Sequence, residues 1–362
     1  MTMPSDNKST RDMGDIEKLL APHQERGQSF NGVEGKYADV VDFIIRVTHE
    51  IWEEKGVGII YDAYQHNTLV HASGGDSYGR EEVVAGTLQT MSMFPDRKLF
   101  ADDVIWTGNE QDGFYTSHHI TSTARHTGPG VYGPPTGKKA MYRAIALCYV
   151  RENRIVEEWL LRDDLAIIHQ LGLDVQKIVE GLARQDLARP KPPQTAGAVE
   201  RSLGQLPPRP LPPRASEGFD VEDFVRRSVH DIVNRRLFNL VREYYVENYS
   251  CHTASERHLY GQSDLTAFLI SLLAALPDGR ITIDQVFWQG NDRDGYRVST
   301  RWTLAGSHTG WGLYGRPSGA HVEIMGLSQY LIQGGKFVRE STLFDEIGLL
   351  RQIEALRLAA QG

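Results

Sequence analysis

The stretch His126-Thr-Gly-Pro-Gly-Val-Tyr-Gly133 recurs 182 residues later as His308-Thr-Gly-Trp-Gly-Leu-Tyr-Gly315. The same offset aligns residues 95–165 with residues 277–347 without a gap, and roughly a third of those positions are identical. It places Asp163 on Asp345. Self-similarity at a fixed spacing is the signature of a repeat architecture, so the chain is predicted to contain one folding unit twice.

The repeat continues upstream at an offset of 181, which aligns Tyr64 with Tyr245 and His71 with His252. Between the copies, residues 190–213 hold eight of the chain's 16 prolines. Proline lacks a backbone N–H and favours extended conformations, so this segment is predicted to be a linker. The predicted organisation is an N-terminal arm (1–36), a first domain (37–187), the linker (188–217) and a second domain (218–362).

Each copy shows the same order of predicted elements. Helical periodicity at 37–52 and 80–93, matched by 221–233 and 263–276, precedes three strand-like stretches. Those stretches are 114–124, 139–149 and 155–163, matched by 296–306, 321–331 and 337–345, and a closing helix follows at 165–178 and 347–358. Helices followed by a run of antiparallel strands predict an α+β fold with helices on one face of the sheet.

The composition argues against several classes of partner and cofactor. A net charge of −8 disfavours nucleic acid, whose phosphates require a basic patch. The sequence has no run of roughly 18 apolar residues and no apolar leader, which predicts a cytoplasmic protein without a membrane partner. No local His, Asp or Glu spacing fits a known metal site, and the glycine-rich 128–137 stretch lacks the strand-to-helix context of a phosphate loop. Neither a metal nor another cofactor is therefore expected.

The first copy carries a set of short motifs that is specific in combination. They are Asp112-Gly113, His126-Thr127-Gly128, Tyr132-Gly133, Pro134-Pro135-Thr136-Gly137-Lys138, Asn153-Arg154-Ile155-Val156-Glu157-Glu158-Trp159, Asp163 and Ile168-His169-Gln170-Leu171-Gly172. In this order the motifs resemble the SnoaL-like polyketide cyclase family of the NTF2-like superfamily. The resemblance covers residues 37–173 and, more loosely, residues 221–356. It implies two cone-shaped α+β barrels, in which a curved antiparallel sheet and helices enclose a pocket for a small, mostly apolar molecule.

The resemblance leaves two functional hypotheses. The first is a cofactor-independent acid/base enzyme, namely an aldol-type cyclase, an isomerase or a dehydratase (a lyase), acting on a small carbonyl-containing or cyclic organic molecule. The alternative is a non-catalytic small-molecule binding or association module, because fold alone does not fix chemistry. Cones of this superfamily pair through the outer face of the sheet. The two copies are therefore expected to form an internal pseudo-dimer, and a homo-oligomer is a further option.

Asp163 and Asp345 are the candidate proton carriers, because the resemblance places them on the aspartate that acts as acid and base in the family. A carboxylate in the wall of a dry pocket has a raised pKa and moves protons next to a carbonyl more readily than a solvated one. Asp163 is expected to point into the first cone, with His71 or His119 as its hydrogen-bonding partner. The structural alternative is that each aspartate caps the helix that follows it.

His119 is the third catalytic candidate, because an inward-facing histidine orients a carbonyl or shuttles a proton. Arg301 takes its place in the second copy. Strand alternation puts His118 and His119 on opposite faces, and the sequence leaves open which of them faces inward.

The candidate substrate-binding residues are side chains at predicted strand positions near the pocket. They are His71, Tyr64, Arg143 and Trp159 in the first copy, and His252 and Arg301 in the second. The second copy has Met325 and Ser341 where the first has Arg143 and Trp159. This divergence predicts either two sites with different ligands or one active copy and one degenerate copy.

Overall fold

The computed structural model describes residues 36–188, 208–213 and 218–361. Almost all of the predicted N-terminal arm and most of the predicted linker lie outside these described residues. Within the described residues, no helix combines the length and the apolar character needed to cross a membrane. The domain boundaries given above stay a prediction.

The first repeat alternates short helices with six strands. Its helices are α1 (Val40–Trp52), α2 (Ile60–Ala63), which follows a 3-10 turn at Val57–Ile59, α3 (Arg80–Met93), α4 (Asp164–Leu171) and α5 (Val175–Ala188). Its strands are β1 (Tyr64–Ala72), β2 (Gly75–Tyr78), β3 (Lys98–Asn109), β4 (Gly113–Arg125), β5 (Lys139–Arg151) and β6 (Arg154–Arg162).

The second repeat has the same order of elements. Its helices are α6 (Val221–Ser228), continued by a π-helical segment at Val229–Asn234, then a 3-10 turn at Phe238–Leu240, α7 (Val241–Tyr244), α8 (Gly261–Ala275) and α9 (Glu346–Ala359). Its strands are β7 (Tyr245–Thr253), β8 (Arg257–Tyr260), β9 (Arg280–Asn291), β10 (Gly295–Ser307), β11 (His321–Gln333) and β12 (Lys336–Phe344).

Each repeat forms one six-stranded sheet, in the order β2-β1-β6-β5-β4-β3 and β8-β7-β12-β11-β10-β9. The predicted fold class, two NTF2-like α+β units in tandem, is confirmed. The sheets are mixed and not purely antiparallel, because β1 pairs in parallel with β6 and β7 pairs in parallel with β12. The parallel pair brings the start of the repeat beside its last strand, so residues distant in sequence share one surface.

Helix α1 defines the inside of the first repeat. The Asp39 side chain caps the helix by accepting a hydrogen bond from the Asp42 backbone N–H at 2.8 Å. The helix buries an apolar stripe at helical spacing, formed by Val40, Phe43, Ile44, Val47 and Ile51. This stripe packs in one core cluster with the strand residues Val104, Phe114, Cys148 and Val150. We call the sheet face that carries these four strand residues the inner face, and the opposite one the outer face.

A tight turn between strands explains one repeated motif. Gly108 has a φ of +111°, and a Cβ there would lie 2.2 Å from the carbonyl oxygen of Gly113. Gly290 has the same relation to Gly295, with a φ of +113° and a distance of 2.1 Å. Only glycine fits such a position, which accounts for its recurrence in both copies.

Asp163 and Asp345 are the N-cap residues of α4 and α9. The Asp163 carboxylate accepts a hydrogen bond from the Ala166 backbone N–H at 3.2 Å, and Asp345 accepts one from the Gly348 N–H at 2.9 Å. Each aspartate thus satisfies a backbone donor that the helix itself leaves unpaired. The structural alternative drawn from the sequence describes what both side chains do.

We expect Asp163→Ala and Asp345→Ala each to lower the free energy of unfolding by about 1 kcal/mol, because each removes an N-cap. Asp163→Asn and Asp345→Asn should stay near the wild-type value, since asparagine caps helices as well as aspartate does. Chemical denaturation of the four variants measures both effects. Equal destabilisation by alanine and asparagine at either position would contradict the capping role.

Candidate functional site

The register of the first sheet determines which side chains face inward. Glu158 lies opposite Cys148, Cys148 lies opposite Thr116, and Thr116 lies opposite Trp106. Directly opposed residues point to the same side of a sheet. Because Cys148 belongs to the core cluster beneath α1, the Glu158 carboxylate also projects from the inner face.

The neighbouring row answers the question that the sequence left open for the paired histidines. His118 lies opposite Val104 on one side and Ala146 on the other, and Val104 packs in the core beneath α1. His118 therefore faces inward. His119, the next residue along β4, faces outward, with its Nδ1 atom 3.8 Å from the Asp102 carboxylate.

Glu158 is a buried carboxyl group with one hydroxyl partner. The Tyr64 hydroxyl donates a hydrogen bond to Glu158 Oε2 at 3.0 Å. Burial raises the pKa of Glu158 to about 7, and the hydrogen bond from Tyr64 opposes that rise only in part. Near neutral pH the group is therefore divided between its acid and its base form.

His118 and Tyr142 place unpaired polar atoms on the same inner face. The two ring nitrogens of His118 and the hydroxyl of Tyr142 have no hydrogen-bond partner among the described residues. Burial lowers the pKa of His118 to about 4, so the ring is neutral at pH 7. Buried polar atoms are nearly always paired, which indicates that water or a ligand satisfies these atoms.

A charged cluster closes one end of this face. Arg162 donates to Asp164 at 2.9 Å, and the Tyr132 hydroxyl donates to the same carboxylate oxygen. Burial raises the pKa of the Tyr132 hydroxyl well above its usual value. The cluster joins the glycine-rich loop to the first turn of α4.

The second repeat carries a matching buried carboxyl group, Glu340, at the position equivalent to Glu158. Glu340 accepts hydrogen bonds from the hydroxyls of Tyr249 and Thr342. Burial raises its pKa above the usual range, and the two hydroxyl donors oppose that rise. The shared feature of the two repeats is therefore an inward glutamate held by hydroxyl groups.

Apolar side chains of the second repeat replace several polar groups of the first interior. The Trp302 indole lies against Gly326, where an added Cβ would be 2.1 Å from the ring. Trp302, Leu304, Ile324 and Phe344 belong to one buried core cluster. The equivalent residues of the first repeat are Ile120, Ser122, Tyr142 and Arg162. Polar groups in the first interior are thus replaced by packed side chains in the second.

Most of the predicted substrate-binding residues lie on the outer face and not in the interior. His71 stacks on the Trp159 ring at 5.4 Å, and its two nitrogens contact Asp76 at 2.8 Å and Glu157 at 2.9 Å. Trp159 is outward because it lies next to the inward Glu158 along β6. Arg143 lies opposite Thr121 and beside the inward Ala144, so it is outward too.

The second repeat follows the same pattern. Arg301 lies between Thr300 and the inward Trp302 on β10 and therefore projects outward, as His119 does. His252 lies opposite Ser341, which is next to the inward Glu340. His119, His71, Arg143, Trp159, His252 and Arg301 thus lie one step of the strand alternation away from the inner face, and a role for them in catalysis or substrate binding stays a prediction. Among the predicted binding residues, Tyr64 reaches the interior.

Sequence reasoning placed the proton carrier on Asp163 and Asp345 and missed Glu158. The catalytic role expected for the two aspartates stays a prediction, as does the expected pairing of Asp163 with His71 or His119. A signal for the glutamate was present, since Glu158 and Glu340 are identical across the repeat at mid-strand positions. Burying a carboxyl group costs free energy of folding. A glutamate that recurs at the same strand position in both repeats therefore indicates a specific requirement for that group.

A cleft in the second repeat lies apart from the inner face. An open cleft of about 620 Å³ in the second repeat is lined by residues that include Phe238, Arg242, Gln262, Thr266 and Ile270. The residues that line it do not include the buried Glu340. No group of three or more His, Cys, Asp or Glu side chains suited to a metal occurs in the part of the chain that the structure describes.

Comparisons with known proteins agree with the repeat. A family model described as SnoaL-like polyketide cyclase matches residues 42–171 and again residues 223–353. No curated protein sequence matches the chain significantly.

Solved structures that resemble the chain include three named as candidate polyketide cyclases, and each corresponds in length to one repeat. A SnoaL-like protein from Jannaschia sp. CCS1 is 18% identical, with a TM-score of 0.34 over 37% of this chain and 91% of its own. IdmH from Streptomyces antibioticus is 22% identical, with a TM-score of 0.32 over 36% and 97%. A protein from Acidithiobacillus ferrooxidans is 19% identical, with a TM-score of 0.33 over 40% and 99%.

The assignment rests on the family model, since the two matched segments together span well over half of the chain. Both segments include the inward glutamate and the capping aspartate of their repeat. The chain belongs to the SnoaL-like polyketide cyclase family, with two family domains in tandem.

Proposed function

We propose that the first repeat is a cofactor-independent acid/base enzyme in which Glu158 carries the proton. The observation that supports this role is a buried carboxyl group with a pKa of about 7, on an inner face that also holds unpaired polar atoms. A catalytic acid or base works best when its pKa lies near the operating pH. A solvated carboxylate would be a much weaker base towards a carbon acid.

The inner face has the groups that an enolisation needs. Glu158 in its ionised form removes a proton from the carbon next to a carbonyl, and the electron pair of that C–H bond moves into an enolate. The neutral His118 ring donates an N–H to the enolate oxygen, where negative charge develops. Protonated Glu158 then returns the proton to carbon or oxygen, which leaves the enzyme unchanged.

The spacing of the two groups suits a small ring system. His118 and Glu158 are two strands and one alternation step apart, so ideal sheet geometry separates their Cα atoms by roughly 12 Å. Both side chains project from the same inner face. We therefore propose a small carbonyl-containing or cyclic substrate, and an aldol-type cyclisation, an isomerisation or an elimination as the reaction.

The second repeat favours the alternative function, a non-catalytic role, for its own half of the chain. Leu304, Ile324 and Phe344 take the places of Ser122, Tyr142 and Arg162. Glu340 accepts hydrogen bonds from two hydroxyl groups, whereas Glu158 accepts one. We propose that this repeat supports the fold of the protein and does not turn over substrate. Its pairing with the first repeat as an internal pseudo-dimer, and any homo-oligomer, stay predictions.

Glu158→Gln should reduce proton abstraction by ~100-fold or more, which is the usual contribution of a general base. We suggest 2-tetralone in D₂O as the probe, with deuterium incorporation at its activated carbon followed by proton NMR. The wild-type exchange rate should rise with pH and level off above about pH 7, because only ionised Glu158 acts as the base.

Glu340→Gln is the matched control, since it makes the same change at the equivalent position of the filled repeat, and it should leave the exchange rate unchanged. Equal exchange rates in the wild type and in Glu158→Gln would overturn the acid/base proposal. Binding of 2-tetralone without any accelerated exchange would favour the binding module instead.

The pH dependence of stability gives an independent prediction. The pKa of Glu158 is raised from 4.5 to about 7 in the folded protein, so the folded state binds the proton more tightly than the unfolded state does. Stability contributed by the protonated group is fully present below pH 4.5 and is lost as the pH rises to about 7. The loss amounts to about 3 kcal/mol.

The measurement is the difference in unfolding free energy between the wild type and Glu158→Gln from pH 4 to pH 8. We expect the wild type to lose stability relative to the variant across that window, because glutamine does not titrate. A difference that stays constant with pH would show that Glu158 is not buried as an acid.

A further inference from the structure

Arg97 is a buried cation at one end of the first interior. The residue lies between α3 and β3, and only 7% of its surface is exposed. Its guanidinium carbon lies 4.4 Å from the centre of the Trp52 ring and 5.6 Å from the centre of the Tyr142 ring. Its Nε and Nη2 atoms donate to the Ser122 hydroxyl at 3.3 and 3.1 Å.

No carboxylate pairs with Arg97 among the residues that the structure describes. A buried charge without a counter-ion is costly, and guanidinium groups in protein interiors are usually matched by an acid. The other arginine of this interior, Arg162, has such a partner in Asp164. Arg97 has instead one neutral hydroxyl and two aromatic faces, which hold the group in place without neutralising it.

Unused polar capacity surrounds this cation. Ser122 and Tyr142 lie directly opposite each other on β4 and β5, so both project inward beside Arg97. The Tyr142 hydroxyl has no hydrogen-bond partner among the described residues, although the residue is only 2% exposed. A guanidinium and a phenol hydroxyl together form a donor set that fits a planar carboxylate.

The second repeat differs at the positions around this cation. The positions equivalent to Arg97, Ser122 and Tyr142 are Gly279, Leu304 and Ile324. Leu304 and Ile324 pack in the apolar core of that repeat. A cation from another element, Arg236, donates to the Gly279 carbonyl oxygen at 2.7 Å. The two repeats therefore differ in the side chains around the cation, which are the polar Ser122 and Tyr142 in the first repeat and apolar in the second.

We propose that the first interior binds an organic anion, with Arg97 and Tyr142 holding a carboxylate group of the substrate. This proposal deepens the proposed function, because it rests on the same interior and narrows the substrate to a carbonyl compound that bears a carboxylate. The carboxylate end lies against Arg97, and the reacting carbon lies towards Glu158.

The test compares 2-naphthoate with the neutral, similarly shaped 2-naphthamide by titration calorimetry. Wild-type protein should bind the naphthoate more tightly than the amide. Arg97→Met should weaken naphthoate binding by ~10- to 100-fold, which is the usual effect of losing a charge-assisted hydrogen bond, and should leave amide binding unchanged. Arg154→Met, at an exposed arginine of the same repeat, is the matched control and should leave both affinities unchanged.

Tyr142→Phe provides a second variant in case Arg97→Met does not fold, and it should weaken only the naphthoate. Glu158→Gln should still bind naphthoate, so a failure of the acid/base proposal remains distinguishable from a failure of this one. No detectable binding of naphthoate to the wild type would overturn the proposal. Equal loss of naphthoate and amide affinity in Arg97→Met would overturn it too, since that result indicates a purely structural arginine.

Discussion

The packing of α1 on one face of the first sheet determines which side chains meet inside the repeat. Neighbouring residues of a strand point to opposite faces of the sheet. The contact with α1 therefore determines which residues of β4, β5 and β6 face inward. The core residue Cys148 anchors this assignment, because Glu158 and Thr116 flank it in the same row. The acid, the neutral histidine and the unpaired tyrosine hydroxyl follow from that single contact.

Burial of Glu158 links stability to chemistry in this interior. A carboxyl group away from water keeps its proton to a higher pH, and the folded state carries the cost when the group ionises. Tyr64 limits this cost, because its hydroxyl stabilises the ionised form that would act as a base. The second repeat reduces the cost further, because Glu340 accepts hydrogen bonds from two hydroxyl groups.

Much of the fold could be predicted from the sequence, because the repeat and its periodicities are local signals. Internal identity fixed two equivalent units, and the order of helices and strands followed from apolar spacing. The parallel pairing of β1 with β6 could not be predicted, since alternation along a strand does not identify its partner. The side of the sheet that faces the interior could not be predicted either, because strand alternation does not show which of two neighbouring residues packs on α1. Register shifts between Ala101 and Asp103 and between Tyr149 and Val150 interrupt the alternation, so counting along the chain does not reveal which face is inside.

The candidate site was harder to predict than the fold, because its residues are defined by burial. Asp163 stood out by its resemblance to a family aspartate, yet its side chain caps a helix. Glu158 lies in the motif that ends at Trp159, and nothing in the neighbouring sequence indicates that its side chain is buried. The recurrence of glutamate at position 340 was the available indication of a special role. The register of β6 was needed to show that the side chain faces inward. His126, which stands in the repeated motif, contacts the glycine-rich loop by accepting a hydrogen bond from the Thr136 N–H at 3.3 Å.

Comparison of the two repeats separates polar groups that serve the fold from polar groups that do not. Tyr132 and Asp164 form a buried cluster with Arg162 on β6, whereas Tyr314 and Glu346 form the equivalent cluster with Arg257 on β8. The cation thus comes from a different strand in each repeat, yet the cluster persists, which marks it as a structural requirement of the loop and the helix that it joins.

Arg97 is also matched by a cation from another element, because Arg236 donates to the carbonyl oxygen of Gly279, the residue equivalent to Arg97, at 2.7 Å. The neutral side chains of this interior change more. Thr300 takes the place of His118, and Leu304 and Ile324 of the apolar core take the places of Ser122 and Tyr142. The proposed ligand chemistry of the first repeat therefore rests on the polar atoms that His118 and Tyr142 add to its interior, and not on the presence of a cation alone.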